Sequence, residues 1–484
     1  MKKILIILLI VPVSLITYIS CDNSFLERAP LNEASDVTFY QTESDAVAAT
    51  NAIYDVMQYG RMWKFEISVI GNRYNSDLGI IPRPTQFPSD FQATNGRRLS
   101  MWENLYIGIN RANIALERIP PIEMDEDLKA RLLGEAKFLR GFYYFTLATF
   151  FEDVPIRLEP TSLENLEMAK SPKSEVLDRV RQDLSEAAQV LPERSAQDPA
   201  DLGRATKGAA NAMLGKVELY QDNFAEATQL FETVISSGEY MLDEEYAPQF
   251  LAGGDNTPES IFEVQHAVGG GGWNDSNEGS WMSGWNASTQ PDAVNFGFGG
   301  TFQPNEEFVN AFEEGDLREE FIIVEDGEDF FGVPYDASRG ATPFGLRKYV
   351  FQKQLEQQAA DSEINFHIIR YADVLLMYAE AFNRVNSGPT VEAYQSINAV
   401  RNRAGLADLP AGLSEQEFFN AIVQERRIEL FLEAHRTWDL IRWGLAPEVL
   451  GSTNGFVANR HERLPVPQTE LDTNPLMEQH PAYQ

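Results

Sequence analysis

The chain of 484 residues has a single cysteine, Cys21. A lone thiol excludes an internal disulfide, a CxxC redox pair and a cysteine-based zinc site. The five histidines, His266, His367, His435, His461 and His480, are dispersed without metal-ligand spacing. Positive charge is also scarce: 39 Lys plus Arg stand against 73 Asp plus Glu, a net charge of −34. A nucleic-acid partner needs a basic surface that exchanges for counterions, so DNA and RNA are set aside. No HExxH, GxSxG, P-loop or EF-hand ligand series occurs, so no catalytic residue, metal or cofactor is assigned. What remains is 43% hydrophobic residues, enough for a core, and 11% aromatics, enough to leave rings for flat stacking recognition.

The first twenty residues differ from the rest. Lys2 and Lys3 precede an apolar stretch from Ile4 to Ile16, interrupted only by Pro12 and Ser14. That is the form of a secretory signal, too short and too early for a membrane span. It ends in Tyr18-Ile19-Ser20-Cys21, which resembles a bacterial lipobox, although Tyr18 stands where Leu is usual. Residues 1–20 are read as a lipoprotein signal peptide and Cys21 as the lipidated first residue of the mature chain. Two or three acyl chains, at about 0.8 kcal/mol per buried CH₂, hold a protein to a membrane essentially permanently. No second long apolar run follows.

Helical periodicity dominates the body. Leu105, Ile109, Ala112, Leu116 and Ile119 form one stripe; Leu132, Ala136, Leu139, Tyr143, Leu147 and Phe150 form the next. Pro120-Pro121 separates them, which predicts a helical hairpin. Over 206–236, Leu214-Gly215, a turn at Asn223, then Ala227 and Phe231 resemble a tetratricopeptide repeat, in which small residues let two helices approach. Tyr371, Leu375, Tyr378 and Phe382 make a further stripe, broken at Asn386–Pro389 and resumed at Tyr394, Ile397 and Val400. The fold class is all-α: tetratricopeptide-like helical repeats with long irregular loops.

Two of those loops stand out. Residues 60–103 are rich in Arg, Asn, Asp and Pro; residues 266–304 carry a run of four glycines and three tryptophans. Loops this long within a folded body are functional or disordered, and the tryptophans argue against disorder. Near the end, Glu425, Glu429 and Glu433 recur every fourth residue, sharing one helix face, with Arg403, Arg427, Arg436 and Arg442 available as planar forks. An anion site is one reading. Matched numbers of opposite charges favour an ion-pair lattice that pins the last helices together.

The run Asn398-Ala399-Val400-Arg401-Asn402-Arg403-Ala404-Gly405-Leu406, the helix Glu425-Arg426-Arg427-Ile428-Glu429-Leu430, the stretch from His435 to Gly444 and the tail from Asn474 to Tyr483 together resemble the SusD/RagB family. Tyr371 to Ala381 and the lipobox followed by Phe25-Leu26 add to the likeness. The resemblance implies one SusD-like α-helical domain over 21–484, with an N-terminal part of about 22–240 and a C-terminal RagB/SusD part of about 260–484. It implies a surface-exposed, lipid-anchored outer-membrane protein that is not an enzyme. Such a protein captures oligosaccharides and delivers them to a SusC-like TonB-dependent barrel; a peptide-binding RagB-like receptor is the alternative. The family places its ligands on loops, and sugars need a flat ring for the C–H face and fixed polar groups at the edge. Trp273, Trp281, Trp285 and Phe298, with Asn274 and Asp275, are the candidate platform; Asn72, Arg73, Asn75, Asp77 and Trp102 are the candidate edge.

Overall fold

Thr42 opens the first helix with a reciprocal cap: its hydroxyl accepts from the Asp45 amide while the Asp45 carboxylate accepts from the Thr42 amide at 2.8 Å. The computed structural model describes residues 39–64, 66–73, 78, 91–268, 278–286, 302–340, 342–350 and 361–484. That first helix, α1 (Glu43–Asp55), is followed by α2 (Glu66–Arg73), α3 (Gly96–Arg118), α4 (Glu126–Phe151) and α5 (Lys173–Val190).

The predicted hairpin is α3 with α4. Both apolar stripes are buried, apart from Leu116, which packs against the core from its edge. Phe138, Phe142 and Tyr144 are buried as well, so α4 is covered on nearly every side, between α3 and α5. A helix apolar on all sides belongs at the centre of a helical stack. A Cβ on Gly108 would lie 2.4 Å from the Tyr143 ring, so the close approach of α3 to α4 depends on a hydrogen there.

The unit at 206–236 is α6 (Lys207–Tyr220) and α7 (Phe224–Ser236), with Asp222 at φ 60° in the turn. A Cβ on Gly215 would meet the Phe231 ring at 2.6 Å, which is the small-against-large packing that the sequence predicts.

Between this half and the next run β1 (Ser260–Val264), α8 (Met282–Asn286), α9 (Glu306–Val309), α10 (Leu317–Ile322), β2 (Ile323–Val324), β3 (Asp329–Phe330), β4 (Val333–Pro334), β5 (Gly345–Leu346) and β6 (Phe366–Arg370). The strands pair antiparallel as β1 with β6, β2 with β5 and β3 with β4, and in the first pair Glu263 faces His367. They fasten loops and leave the all-α class intact.

The remaining helices are α11 (Tyr371–Val385), α12 (Val391–Arg403), α13 (Glu415–Glu429), α14 (Arg436–Arg442), α15 (Ala446–Asn454) and α16 (Gln468–Thr473). Leu375 and Leu376 of α11, Ile397 and Val400 of α12, and Phe418 and Ile422 of α13 share a second core. Among the described residues no helix is long and apolar enough to cross a membrane.

The acidic ladder is an ion-pair lattice. Glu425 meets Arg318 at 2.6 Å; Glu429 meets Arg318 at 2.8 Å, Arg370 at 2.5 Å and also Arg403; Glu433 meets Arg370 and Lys348, each at 2.7 Å. Glu259 completes it, at 2.6 Å from Arg370 and 2.9 Å from Arg403. The helix ends at Glu429, one turn before Glu433, and Leu432 and Ala434 continue at φ 64°. Of the arginines singled out by sequence, Arg403 joins this lattice, Arg442 pairs with Glu380 and Asp439, Arg427 reaches Glu307, and Arg436 donates to the Val423 carbonyl. The central cations, Arg318, Arg370 and Lys348, come from outside that segment.

Candidate functional site

The two stretches meet, and neither is all loop: the first contains α2 and the start of α3, and the second contains α8. Gln58 Nε2 donates to the Gln265 carbonyl at 2.6 Å, across 207 positions of sequence. The Lys64 ammonium stands 5.5 Å from the centroid of the Trp281 ring, and Leu78 forms an antiparallel bridge with Pro304. The turn after the acidic ladder and the start of α14 pack against α2: Thr437 Oγ1 donates to the Gly71 carbonyl at 2.9 Å, and a Cβ on Gly71 would meet Ala434.

The second loop leaves and returns through a closed neck. Ala267 N donates to the Glu278 carbonyl at 3.2 Å, and His266 Nδ1 lies 2.9 Å from the same oxygen. Burial pulls the His266 pKa down to about 4, against the Glu278 carbonyl bond, which raises it, and with the Lys64 charge, which lowers it further. A carbonyl oxygen can only accept, so Nδ1 carries the proton and donates. Ser280 closes the far side by a two-way backbone bridge to Ser362, at 2.7 and 3.1 Å.

Beside the neck lies a groove of about 330 Å³, lined by Asn51, Tyr54, Gln58, Arg204, Gln265 and Glu278 among others. The Gln265 amide is locked by Asn256 Nδ2 at 2.8 Å and Asn365 Nδ2 at 3.0 Å, and Asn365 also donates to Glu263 at 2.8 Å. Burial pushes the Glu263 carboxyl up, but His367 at 3.2 Å and these hydrogen bonds outweigh it and hold the group below its ordinary range. Fixed amides, a phenol and charged tips along a groove supply hydrogen bonds of both senses to a hydroxylated ligand. Among the described residues no group of three His, Cys, Asp or Glu is placed to hold a metal ion.

Comparison with known proteins decides the kinship. Residues 333–483 match the model of the SusD family, and residues 24–219 match a family described as starch-binding, associating with outer membrane. A solved laminarin binding SusD-like protein is 30% identical, superposes with a TM-score of 0.77 and covers 92% of this chain and 100% of its own. The chain belongs to the SusD/RagB family. SusD-like protein P25 of Formosa agariphila is 27% identical over 95% of both chains. The surface glycan-binding protein A of Bacteroides thetaiotaomicron, solved with laminarihexaose, is 23% identical with a TM-score of 0.75 over 91% of this chain and 99% of its own; at that distance it shows the fold alone.

In this SusD/RagB family member two of the candidate rings are core residues. Trp102 is 3% exposed, against Tyr106 at 5.1 Å and edge-on to Phe151 at 4.9 Å; Trp281 is 6% exposed at the entry to α8. Neither offers a ring face to solvent. For Trp102 the signal was present, since it extends the Leu105–Ile109–Ala112 stripe backwards by one turn and so lies on the buried face of α3. Trp273, Asn274, Asp275, Phe298, Asn75, Asp77 and the side chains of Asn72, Arg73 and Trp285 lie outside the described residues, as does Cys21. Gln58, Lys64, Gln265 and Glu278 form the junction without any sequence pattern to mark them.

Proposed function

We propose that this chain is a non-enzymatic glycan receptor, tethered through lipid on Cys21 to the outer membrane and exposed at the cell surface, that captures oligosaccharides and delivers them to a SusC-like TonB-dependent barrel. What supports this reading is that two stretches, each singled out by its composition, come together through Lys64 with Trp281 and Leu78 with Pro304. The laminarin-binding relative at 30% identity supports a glucan as the first ligand to try. Trp273, Trp285 and Phe298 are the stacking rings in this reading, with Asn274, Asp275, Asn72, Arg73, Asn75 and Asp77 at their edge. Cargo must be released to the barrel, so the affinity expected is micromolar to millimolar, about −4 to −8 kcal/mol.

Isothermal titration against laminarin, other polysaccharides and peptides tests it. Heat with a glycan that vanishes in Trp273→Ala or Trp285→Ala is the expected result. Heat with peptides alone overturns the glycan reading in favour of a peptide receptor, and new reducing ends after incubation with polymer overturn the non-enzymatic one.

A further inference from the structure

A second cleft, of about 480 Å³, opens where α4, α6 and α14 end and α5 and α7 begin. It shares no lining residue with the groove beside the loop neck. Part of its wall is rigid and satisfied. The Arg442 guanidinium holds Glu380 at 2.6 and 2.7 Å and lies over the Trp443 ring at 4.6 Å and the Tyr220 ring at 5.2 Å. Trp443 Nε1 donates to Glu380 at 2.8 Å, which fixes the plane of a half-buried indole.

Elsewhere on the wall Glu152 pairs with Arg463 at 2.6 Å and Arg384 with Glu415 at 3.1 Å, but three groups have no such partner. Glu462 Oε2 is buried without a hydrogen bond, although Oε1 accepts from the Asn459 amide at 2.8 Å. Among the described residues, the Lys173 ammonium and the Tyr220 hydroxyl make no hydrogen bond and no ion pair. Burial draws the Lys173 pKa down, against the attraction of Glu152. A buried carboxylate oxygen without a partner is rare, and here it lies in the same cleft as an ammonium and a hydroxyl, a set able to bond a polar ligand.

The set is an ammonium donor, a carboxylate acceptor and a hydroxyl that does both, beside the Trp443 and Phe224 rings. A phosphate would meet Glu152, Asp222 and Glu462 in the same cleft, and an alkyl chain would leave every polar group unpaired. A pyranose matches, with hydroxyls of both senses at the rim and a C–H face for an aromatic ring. We infer that this cleft is a second saccharide site, separate from the loops and contacted by Lys173, Tyr220, Trp443 and Glu462. The inference rests on the glycan-receptor reading. Two sites on one chain raise the avidity for a polymer that spans both.

Crystals of the full chain soaked in a panel of neutral hexasaccharides of glucose, xylose and mannose, laminarihexaose included, test it by location. Ordered sugar in the cleft, within hydrogen-bond distance of the Tyr220 hydroxyl, is expected. Sugar only at the loops overturns the second site and leaves the receptor reading standing; sugar only in the cleft overturns the placement of the first site at the loops and leaves the cleft site and glycan binding standing, and sugar at neither overturns both. In solution, Tyr220→Phe with Lys173→Met keeps ring and stem and weakens one of two titration steps roughly tenfold, leaving the other unchanged. A titration with the same hexasaccharide that this double variant does not alter also overturns the second site.

Discussion

Arg370 and Glu433 form a two-pronged pair with no access to water: Nε to Oε2 at 2.7 Å and Nη2 to Oε1 at 2.9 Å. Arg370 ends β6 and Glu433 lies in the turn that leads to α14, so the pair ties the small sheet to the turn that packs against α2. Parallel donors matched to a carboxylate are the reason Arg suits such a place, and Lys would not replace it.

Arg370→Met should therefore cost far more than a surface charge change. It leaves Glu433, Glu429 and Glu259 with fewer partners in the interior, for which about 3–5 kcal/mol is expected. Lys207→Met, whose partner Glu193 is 37% exposed, should cost under about 1 kcal/mol. Urea unfolding of both variants checks the contrast, and equal losses would mean the lattice is not what holds the turn.

Acid should act in two windows. Burial lowers His266 and His435 from 6.5 to about 4, so the unfolded chain takes up protons that the folded chain refuses, and stability falls as pH drops from 6.5 to 4. Burial pushes Glu433 up, but Arg370 and Lys348 outweigh it and hold its pKa near 2 instead of 4.5. Its contribution is complete above 4.5 and is lost as pH falls towards 2. Unfolding free energy measured from pH 8 to pH 3 should decline below 6.5 and more steeply below 4.5.

Gly108→Ala and Gly215→Ala place a methyl group against the Tyr143 and Phe231 rings at 2.4 and 2.6 Å. Overpacking of this kind costs about 1–3 kcal/mol. Thermal unfolding should fall for both, and an unchanged midpoint would show that the helix pairs can spread without loss.

Trp102→Ala and Trp281→Ala should behave as core truncations, at about 3–5 kcal/mol each. Any loss of glycan binding in either should follow the unfolded fraction, as circular dichroism at the temperature of the titration will show. Binding lost from a fully folded Trp281→Ala protein would return that ring to the ligand site.

Cys21→Ala should move the protein from the membrane to the soluble fraction of fractionated cells. Retention in the membrane would mean that something other than lipid on this residue anchors it.

Sequence by itself determined the helical pairs, because the 3.6-residue period of Leu105 to Ile119, Leu132 to Phe150 and Tyr371 to Val400 is a local property that burial enforces turn by turn. The pairing of Glu425 with Glu429 on one helix face was legible for the same reason, whereas Glu433 lies beyond the end of that helix and joins the lattice through the turn. Which cations meet that ladder was settled by the tertiary structure, since Arg318, Lys348 and Arg370 arrive from distant segments and an ion pair has no period. The burial of Trp281, the meeting of Gln58 with Gln265 and the convergence of Lys173, Tyr220 and Glu462 on one cleft were likewise decided by packing. A side chain's neighbours across hundreds of residues depend on how whole helices stack, and no local pattern encodes that.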